Sequence, residues 1–326
     1  IKLSPKEIIE RIKDRGIVGL GGAAFPTHVK YMVPEDKKAE YLIINAAECE
    51  PYLTSDNRVI LEHTEEVLIG IEIMKKALNI NKAKIGIEAN KPKAIEALRK
   101  LLNQYPGTEV VPLKTKYPQG AEKQLIYALT KREVPSGKLP IEVACVVNNV
   151  GTAFAIYQAI QKNRPLIDNI LTFTGKKATN NKNLLVRVGT SIQSIIDFCG
   201  GLPEDTGKVI NGGPMMGKAM MDLSAPTTKT TSSILVMSEA ESNRKKMTNC
   251  LRCGKCVSAC PMGLEPIQIA LLAKQERWEE AEKECAMDCI ECGSCLFTCP
   301  AGQPLLDIIR VAKSKIGAIR RARSKK

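Results

Sequence analysis

The sequence predicts an α/β protein in which helices cover an open, largely parallel sheet, followed by a small β-rich module and a cysteine-rich helical unit. Three observations carry this prediction. Short apolar strands alternate with helix-periodic segments between residues 41 and 161, turn signals crowd residues 166–225, and eight of the 12 cysteines lie between Cys250 and Cys299. With 326 residues and 44% hydrophobic content, the chain is long and apolar enough to form about two or more domain cores.

The first region alternates strand and helix in regular order. Short runs of apolar residues predict the strands, and an apolar period of about 3.6 residues predicts the helices between them. Thr64 can cap one helix and Pro92 can open the next. The predicted strands are Tyr41 to Ile44, Lys84 to Ala89, Val110 to Leu113 and Ile141 to Val147. The predicted helices run from Thr64 to Leu78, Pro92 to Leu101, Ala121 to Thr130 and Thr152 to Gln161.

The rest of the chain predicts two smaller units. Short apolar runs and turn signals such as Gly200-Gly201 are typical of a β module, and a Ser/Thr-rich linker at 224–233 precedes a last strand at Ile234 to Met237. Beyond them, a helical hairpin and an amphipathic helix from Leu305 to Ala318 accompany the cysteines, and a basic tail ends the chain. We therefore expect three domains, at residues 1–165, 166–238 and 239–326.

Charge and composition narrow the choice of partners. Lys and Arg outnumber Asp and Glu by 48 to 35, and the net charge of +13 suits nucleic acid, an anionic membrane surface or acidic partners. Aromatic content of 4% argues against a platform that stacks nucleic-acid bases. No apolar stretch approaches the ~20 residues of a bilayer span. The chain begins at Ile1 without a secretory signal, so we expect a soluble chain belonging to a longer protein.

Two cysteine runs of the same spacing give the strongest chemical signal. The pattern Cys-x2-Cys-x2-Cys-x3-Cys-Pro occurs twice, as in bacterial two-cluster ferredoxins. Three thiolates of one run can hold three corners of a [4Fe–4S] cluster, and in the known arrangement the fourth cysteine serves the other cluster. The sequence therefore predicts one cluster on Cys250, Cys253, Cys256 and Cys299, and a second on Cys289, Cys292, Cys295 and Cys260.

Structural zinc is the alternative for these cysteines, although zinc sites usually pair two Cys-x2-Cys units across a longer gap. Duplication favours electron transfer over a purely structural role, because one cluster would be enough to brace the fold. Among the other cysteines, we expect Cys145 and Cys199 to pack in cores and Cys285 to stay unligated. Cys49 lies beside acidic residues, but a redox role for it is not expected.

The glycine-rich segment from Gly19 to Phe25 is a weaker signal. It matches Gly-x-Gly-x-x-Ala, yet no clear strand precedes it, and Pro26 interrupts the helix that a dinucleotide fingerprint requires. The sequence contains no Gly-x4-Gly-Lys-Ser/Thr phosphate loop, and His28 and His63 belong to no recognisable hydrolytic motif. Residue patterns alone leave the ligand of this segment open.

Four segments, in order, resemble the flavoprotein subunit of respiratory NADH dehydrogenase. They are GLGGAAFPTHVK at 19–30, NAAECEP at 45–51, YPQGAE at 117–122 and VNNVGT at 147–152. Within that superfamily, AECEPYLTSDNR and AMDCIECGSCLFTCPA resemble the C-subunit family of the Rnf electron-transport complex. The resemblance covers nearly the whole chain. It implies a Rossmann-like FMN/NADH-binding domain, a small β-grasp soluble-ligand-binding domain and a helical ferredoxin-like domain.

The resemblance also implies roles for residues at matching positions. Phe25 would stack on the nicotinamide nucleotide, and Glu50 would accept a hydrogen bond from it. The resemblance also makes Lys30, Glu48 and Glu50 the candidate catalytic residues. Ala47 and Ala121 replace acidic residues of the respiratory protein, which implies a different flavin affinity or potential. The implied flavin contacts are Gly19, Gly21, Lys30, Asn45, Glu48, Tyr117, Gly120, Asn148, Asn149 and Thr152.

By the same resemblance, the cofactors are noncovalent FMN and two [4Fe–4S] clusters, with NAD(H) as a substrate. The implied function is hydride exchange between NAD(H) and FMN, with single electrons passing through the clusters, in an ion-translocating ferredoxin:NAD oxidoreductase. The implied location is peripheral, on the cytoplasmic face of the cell membrane. Partners would be the other membrane subunits, ferredoxin through one of them, and anionic lipid at the basic tail, but no nucleic acid. Two alternatives stay open: a cobalamin reductase of bacterial microcompartments, and a nonenzymatic basic binding protein with structural clusters.

Overall fold

A computed structural model describes residues 2–324, which form two compact units divided between Glu241 and Ser242. The first unit contains two separate sheets, each with its own hydrophobic core. Its strands are β1 (Tyr41–Ala46), β2 (Lys82–Glu88), β3 (Thr108–Leu113), β4 (Cys145–Asn149), β5 (Asp168–Thr174), β6 (Lys182–Arg187), β7 (Thr206–Asn211), β8 (Lys218–Ala219) and β9 (Ser233–Ser238). The helices up to the unit boundary are α1 (Pro5–Asp14), α2 (Thr27–Tyr31), α3 (Ser55–Glu62), α4 (Thr64–Leu78), α5 (Pro92–Leu101), α6 (Glu122–Thr130), α7 (Val150–Gln161), α8 (Ile192–Phe198) and α9 (Glu239–Ser242).

The first sheet is parallel throughout and has the strand order β3-β2-β1-β4. Helices lie on both of its faces, so that Leu42, Ile43 and Ile44 of β1 are all fully buried, as expected for a central parallel strand. The chain moves outward from β1 through β2 to β3 and then returns to the other side of β1 as β4. This reversal is a topological switch point, where α/β proteins place their ligands beyond the carboxyl ends of the strands. The predicted α/β class is confirmed.

The second sheet is mixed, with the order β6-β5-β9-β7-β8. Strands β5 and β9 pair in parallel, whereas β6, β7 and β8 pair antiparallel with their neighbours. Helix α8 covers one face through Ile192, Ile195 and Ile196, which share a core with Phe173. Because both sheets belong to one compact unit, the domain boundary at residue 165 stays a prediction.

The second unit is helical and begins at Ser242. Its main core joins α11 and α14 through Ile269, Leu272 and Ile309, which are nearly or fully buried. Among the described residues, every helix is too short or too polar to span a bilayer. The helices are α10 (Lys255–Ser258), α11 (Pro266–Lys274), α12 (Trp278–Lys283), α13 (Ser294–Thr298) and α14 (Leu305–Arg323).

Two parts of the predicted secondary structure need correction. The strand predicted from Ile141 to Val147 begins only at Cys145, because Pro140–Val143 forms a 3-10 turn that Ala144 ends with a left-handed φ of 57°. Helix α1 was not predicted, although Ser4 and Glu7 form a capping box around Pro5 that marks its start.

Candidate functional site

The carboxyl edge of the first sheet brings together most of the residues that the resemblance singles out. Asn45 lies one residue before the end of β1, beside Asn149 at the end of β4, and the two are register partners in the parallel pair. This pair flanks the switch point between β1 and β4. Each asparagine is among the last residues of a largely buried strand, so its position is set by that strand rather than by a free loop.

The glycine-rich segment lies against the turn that leads from β4 into α7. The Leu20 amide donates to Thr152 Oγ1 at 3.0 Å, and Lys30 Nζ donates to the Val147 carbonyl at 2.8 Å. A Cβ built on Gly21 would lie 3.5 Å from the Asn149 Cβ. The segments at 19–30 and 147–152, which are more than a hundred residues apart in sequence, therefore form one wall.

The segment around Gly120 closes the other side of the same edge. Asn45 Nδ2 donates to the Gly120 carbonyl at 2.8 Å, and the Gly120 amide donates to Cys49 Sγ at 3.4 Å. A side chain at residue 120 would meet the Ala47 carbonyl at 2.5 Å, so only glycine allows this approach. Tyr117 nearby in sequence is half-buried. The segments at 45–51 and 117–122 are thus joined through Asn45 and Cys49. The pairing of Asn45 with Asn149 connects them to the segment at 147–152.

Three buried polar side chains in or next to the segments at 19–30 and 147–152 carry atoms that no described group satisfies with good hydrogen-bond geometry. They are the amide of Asn148 and the hydroxyls of Thr27 and Tyr31. These residues are at most 3% exposed. Buried polar atoms are normally paired, so unused donors and acceptors here indicate a place for a polar ligand or water. Burial raises the pKa of Tyr31 well above its usual range, although the nearby Asn148 opposes the shift, so the hydroxyl keeps its proton.

These residues fit FMN. The amide of Asn148 offers two donors and an acceptor at the base of α7, and a helix N-terminus favours an anionic phosphate. Lys30 adds a positive charge on the same wall, with Glu122 3.7 Å from its ammonium group. FMN bound here would meet donors for its phosphate and a glycine-lined edge for its ring.

Glu48, by contrast, is engaged by the protein itself. Its carboxylate accepts the Asp56 amide at 2.8 Å at the start of α3 and lies 3.5 Å from Lys91 Nζ. The Glu48 side chain is 4% exposed. Burial raises the pKa of Glu48, while the Asp56 amide and the Lys91 ammonium oppose that shift. The residue therefore anchors α3 beneath the edge of the sheet.

Asp56 is a member of the site that the sequence reasoning missed. It is half-buried, and its Oδ2 accepts a hydrogen bond of 2.7 Å from Asn149 Nδ2, while Asn149 Oδ1 accepts the Gly151 amide. Burial, and next the charge of Glu48, raise the pKa of Asp56 to about 7. Asp56 can thus hold a proton near neutral pH. Its signal was the helix-start sequence Thr54-Ser55-Asp56, which places an acidic residue in the first turn of α3.

The two residues assigned to the nicotinamide nucleotide have different surroundings. Phe25 is 46% exposed, and its carbonyl accepts the Gly19 amide at 2.8 Å, which closes the glycine-rich segment into a tight loop. Glu50 is partly buried, and the backbone amides of Met215 and Met216 donate to its carboxylate. An exposed ring is available for stacking, whereas the Glu50 carboxylate is already held in place.

The two cysteine runs adopt the same local conformation. In both, the residue two positions after the first cysteine has a left-handed φ, and its amide donates to that first cysteine sulfur at 3.4 Å: Arg252 to Cys250 and Glu291 to Cys289. Gly254 and Gly293 then adopt left-handed φ values of 70° and 79° and start short helices. Amides that point at sulfur are typical of cluster-binding loops.

The structure brings the fourth cysteine of the first run to the second run. Cys260 lines one cavity together with Cys289, Cys292 and Cys295. Cys256 packs against a small core that contains Cys299, the last cysteine of the second run. Both contacts are consistent with the crossed arrangement, which stays a prediction, since the same small core also contains Cys295.

The thiols of the second set surround a cavity. A cluster of four irons and four sulfides holds its ligands apart around itself, whereas a zinc ion would need four ligands within about 2.3 Å of one point. The other cysteines differ: Cys145 and Cys199 are buried, and Cys285 is exposed.

Comparison with family models agrees with these sites. Residues 12–158 match the model of the Nuo51 FMN-binding domain. Residues 243–303 and residues 215–265 match two models of 4Fe-4S dicluster domains. The cofactor types predicted from the sequence, FMN and [4Fe–4S] clusters, are confirmed at the level of these domains.

Solved structures show the same fold. The chain is similar to a chain of an NAD+-reducing [NiFe]-hydrogenase, in its H2-reduced state with a TM-score of 0.66 at 18% identity, covering 96% of this chain and 63% of the other. The air-oxidized state gives 0.65 at 17% identity, with coverage of 96% and 66%. At this level of identity the likeness concerns the fold alone.

Curated relatives identify the family. The C subunit of a proton-translocating ferredoxin:NAD(+) oxidoreductase complex of Clostridium ljungdahlii is 50% identical over 87% of this chain and 62% of its own length. The Na(+)-translocating counterpart of Acetobacterium woodii is 47% identical over 96% of this chain and 71% of its own length. In Serratia proteamaculans, the C subunit of an ion-translocating oxidoreductase complex is 42% identical, with this chain spanning 40% of its length. The chain therefore belongs to the family of C subunits of Rnf-type, ion-translocating ferredoxin:NAD(+) oxidoreductase complexes.

Proposed function

We propose that this chain is the electron-transfer subunit of an ion-translocating ferredoxin:NAD oxidoreductase. In this proposal hydride passes between NAD(H) and FMN, and single electrons pass through two [4Fe–4S] clusters. FMN supplies the change from two-electron to one-electron chemistry, which neither a nicotinamide nor a cubane can provide. The observation that carries the proposal is the convergence of the segments at 19–30, 45–51, 117–122 and 147–152 on one edge of the sheet. The names of the relatives support it, and they support neither cobalamin reduction nor a nonenzymatic role.

In this proposal the residues at the carboxyl edge of the first sheet have different roles. Asn148 and Lys30 hold the anionic part of FMN beside the N-terminus of α7, and the amides of the glycine-rich loop approach the ring. Thr152 accepts a hydrogen bond from the Leu20 amide, which holds the segment at 19–30 against the segment at 147–152. Asn149 accepts one from the Gly151 amide, which fixes the turn into α7. Phe25 stacks on the nucleotide. Glu48 acts through α3, whose first turn it binds, rather than by direct contact with substrate.

The names of the relatives, which are subunits of multisubunit complexes, support a proposal about partners and location. We propose attachment to the cytoplasmic face of the membrane through other subunits of the complex, with ferredoxin reached through one of them. Lipid contact by the basic tail would compete with ion pairs of the helical unit, because Arg320 and Arg323 bind Glu282, and Arg323 also binds Glu279. Lys325 and Lys326 of the tail lie outside the described residues.

Anaerobic reconstitution of the chain with FMN, iron and sulfide tests the function. We expect tight binding of FMN, absorbance of two clusters, and oxidation of NADH with ferricyanide as acceptor. A flavin-free, colourless protein that holds zinc would exclude the function.

The variant Lys30→Ala tests the flavin assignment. Loss of a charged donor should weaken FMN binding by roughly tenfold or more while the iron content stays unchanged. Lys38→Ala is the matched control, because Lys38 is an exposed lysine of the same region. Equal FMN retention in both variants would contradict the role of Lys30.

A further inference from the structure

The carboxylate of Glu50 connects the first sheet to a loop of the second. Its Oε2 accepts the Met215 amide at 3.1 Å, and its Oε1 accepts the Met216 amide at 2.8 Å. These amides belong to the tight loop at 212–217, which joins β7 to β8. Both carboxylate oxygens are therefore oriented by backbone donors, an arrangement that fixes a carboxylate more firmly than a single side-chain contact.

The loop is shaped around this carboxylate. A Cβ built on Gly213 would lie 2.3 Å from Glu50 Oε2 and 2.6 Å from its Cδ. Any other residue at position 213 must displace the carboxylate or the loop. A Cβ on Gly217 would lie 2.4 Å from the Gly213 carbonyl, so the loop is also tightly closed on itself. Gly213 allows the backbone to approach Glu50, and Gly217 allows the loop to close on itself, which no side chain would permit.

Glu50 also remains able to bind a ligand. Burial raises its pKa, and the two amides oppose that shift because they favour the charged form. An ionised carboxylate has about four lone-pair sites, of which the loop uses two. Glu50 follows Cys49, whose sulfur accepts the Gly120 amide at the flavin edge. Glu50 is thus next in sequence to a residue that lies at the proposed cofactor site.

We propose that the loop at 212–217 is a positioning element of the NAD(H) site, which holds the Glu50 carboxylate for hydrogen bonding to the hydroxyl groups of the nucleotide. The second sheet then contributes to nucleotide affinity in place of binding a ligand of its own. This inference rests on the proposed function, since it concerns the nucleotide of that reaction.

Steady-state oxidation of NADH by the reconstituted chain, with ferricyanide as acceptor, tests the inference. Gly213→Ala should raise the KM for NADH by roughly tenfold, the loss expected when a charged hydrogen bond is misplaced, with kcat changed by less than about twofold. FMN and iron contents should stay unchanged. Met221→Ala is the matched control, because Met221 is fully exposed in the same module. An unchanged KM in Gly213→Ala would overturn the inference.

A double-mutant cycle separates positioning of Glu50 from a general structural effect. If the loop acts through Glu50, Gly213→Ala should add nothing to the KM of Glu50→Gln, whereas independent effects would multiply. Multiplying effects would refute the inference while leaving the proposed function intact. A wild-type chain that binds FMN but oxidises no NADH would instead refute the proposed function, and the inference with it.

Hydrogen exchange of the wild-type chain gives a second measurement that does not depend on the folding of Gly213→Ala. The amides of Met215 and Met216 should exchange slowly, and NADH should slow them further. Glu50→Gln should accelerate both. Exchange of these amides that is insensitive to NADH and to Glu50→Gln would overturn the inference.

Discussion

The two cysteine runs have the same backbone conformation and opposite surroundings. Cys250 and Cys253 of the first run are exposed, whereas Cys292 and Cys295 of the second are buried. Residues 243–255 are all exposed and include no acidic side chain. In contrast, Leu306 and Ile309 of α14 line the cavity around the second run. The comparison teaches that spacing and glycines set the geometry of a cluster loop, while tertiary packing sets its environment.

This difference has a redox consequence. Reduction adds negative charge to a cluster, and burial disfavours that charge, so the potential of a cluster depends on exposure and on nearby charges. The first cluster would lie in a basic, exposed segment, and the second would lie in a more buried one, where Leu306 and Ile309 line the cavity and Lys313 is a nearby charge. We therefore expect two clusters of unequal potential and unequal lability from two runs of equal sequence pattern.

The largest contrast should come from removing one ligand in each run. Cys292→Ser should abolish the second cluster and lower the free energy of unfolding of the helical unit by on the order of 4 kcal/mol, because the serine is buried in the core. Cys253→Ser should abolish the first cluster with a much smaller loss of stability. Iron analysis and anaerobic guanidinium unfolding measure both effects. Equal destabilisation by the two variants would show that exposure does not distinguish the runs.

The two clusters should be lost at different rates when the metal is removed. A chelator added with ferricyanide should remove the first cluster on the order of tenfold faster than the second, because access of oxidant to cysteine sulfur follows exposure. Mössbauer or paramagnetic resonance spectra during the reaction report which cluster remains. Simultaneous loss of both clusters would break the comparison.

A smaller effect should follow from removing a charge beside the second run. Lys313 Nζ donates to the Cys289 carbonyl at 2.6 Å and to Glu291 at 2.7 Å. Lys313→Met should lower the potential of the second cluster by roughly 30–60 mV, since a tenfold change in a one-electron equilibrium is about 59 mV. Lys315→Met, which removes an exposed lysine from the same helix, is the control. Redox titration would count against the assignment if the first cluster shifted instead.

The smallest effect should come from the far end of α14. Glu282 binds both Arg320 and Arg323, and Glu282→Gln should reduce the stability of the helical unit by about 0.5–1 kcal/mol, as expected of partly exposed ion pairs. Because α14 covers the second run, this change should also speed loss of the second cluster slightly and leave the first unaffected. Guanidinium unfolding in high salt, which screens the pairs, should erase the difference between variant and parent.

How much the sequence could predict depended on the range of the interaction. Alternating apolar periods predicted the parallel sheet, and cysteine spacing predicted the loops, because both are local signals. The burial of Cys292 and the exposure of Cys253 could not be read from the sequence, since the runs differ in what packs on them and not in their pattern. The partner of Glu50 lies 165 residues away at Met215, which no local pattern reveals.

Some local signals were also missed because another signal at the same residues predicted a different structure or role. Ile141 to Val143 looks like the start of a strand by composition, but Pro140 and the left-handed Ala144 impose a 3-10 turn. Asp56 was overlooked because it resembled an ordinary acidic residue in the first turn of a helix, where a negative charge is favourable. Only the fold shows that this turn faces Asn149.

The register of β1 against β4 has a consequence for how this family can vary in length. Asn45 and Asn149 are partners along that pair, and side chains alternate between faces at every step of a strand. Inserting or deleting one residue within either strand would turn its asparagine toward the opposite face and separate the two amides. The largely exposed connection at residues 131–139 carries no such constraint. We therefore expect natural variants to differ in length there, and to keep the residue count of the two strands.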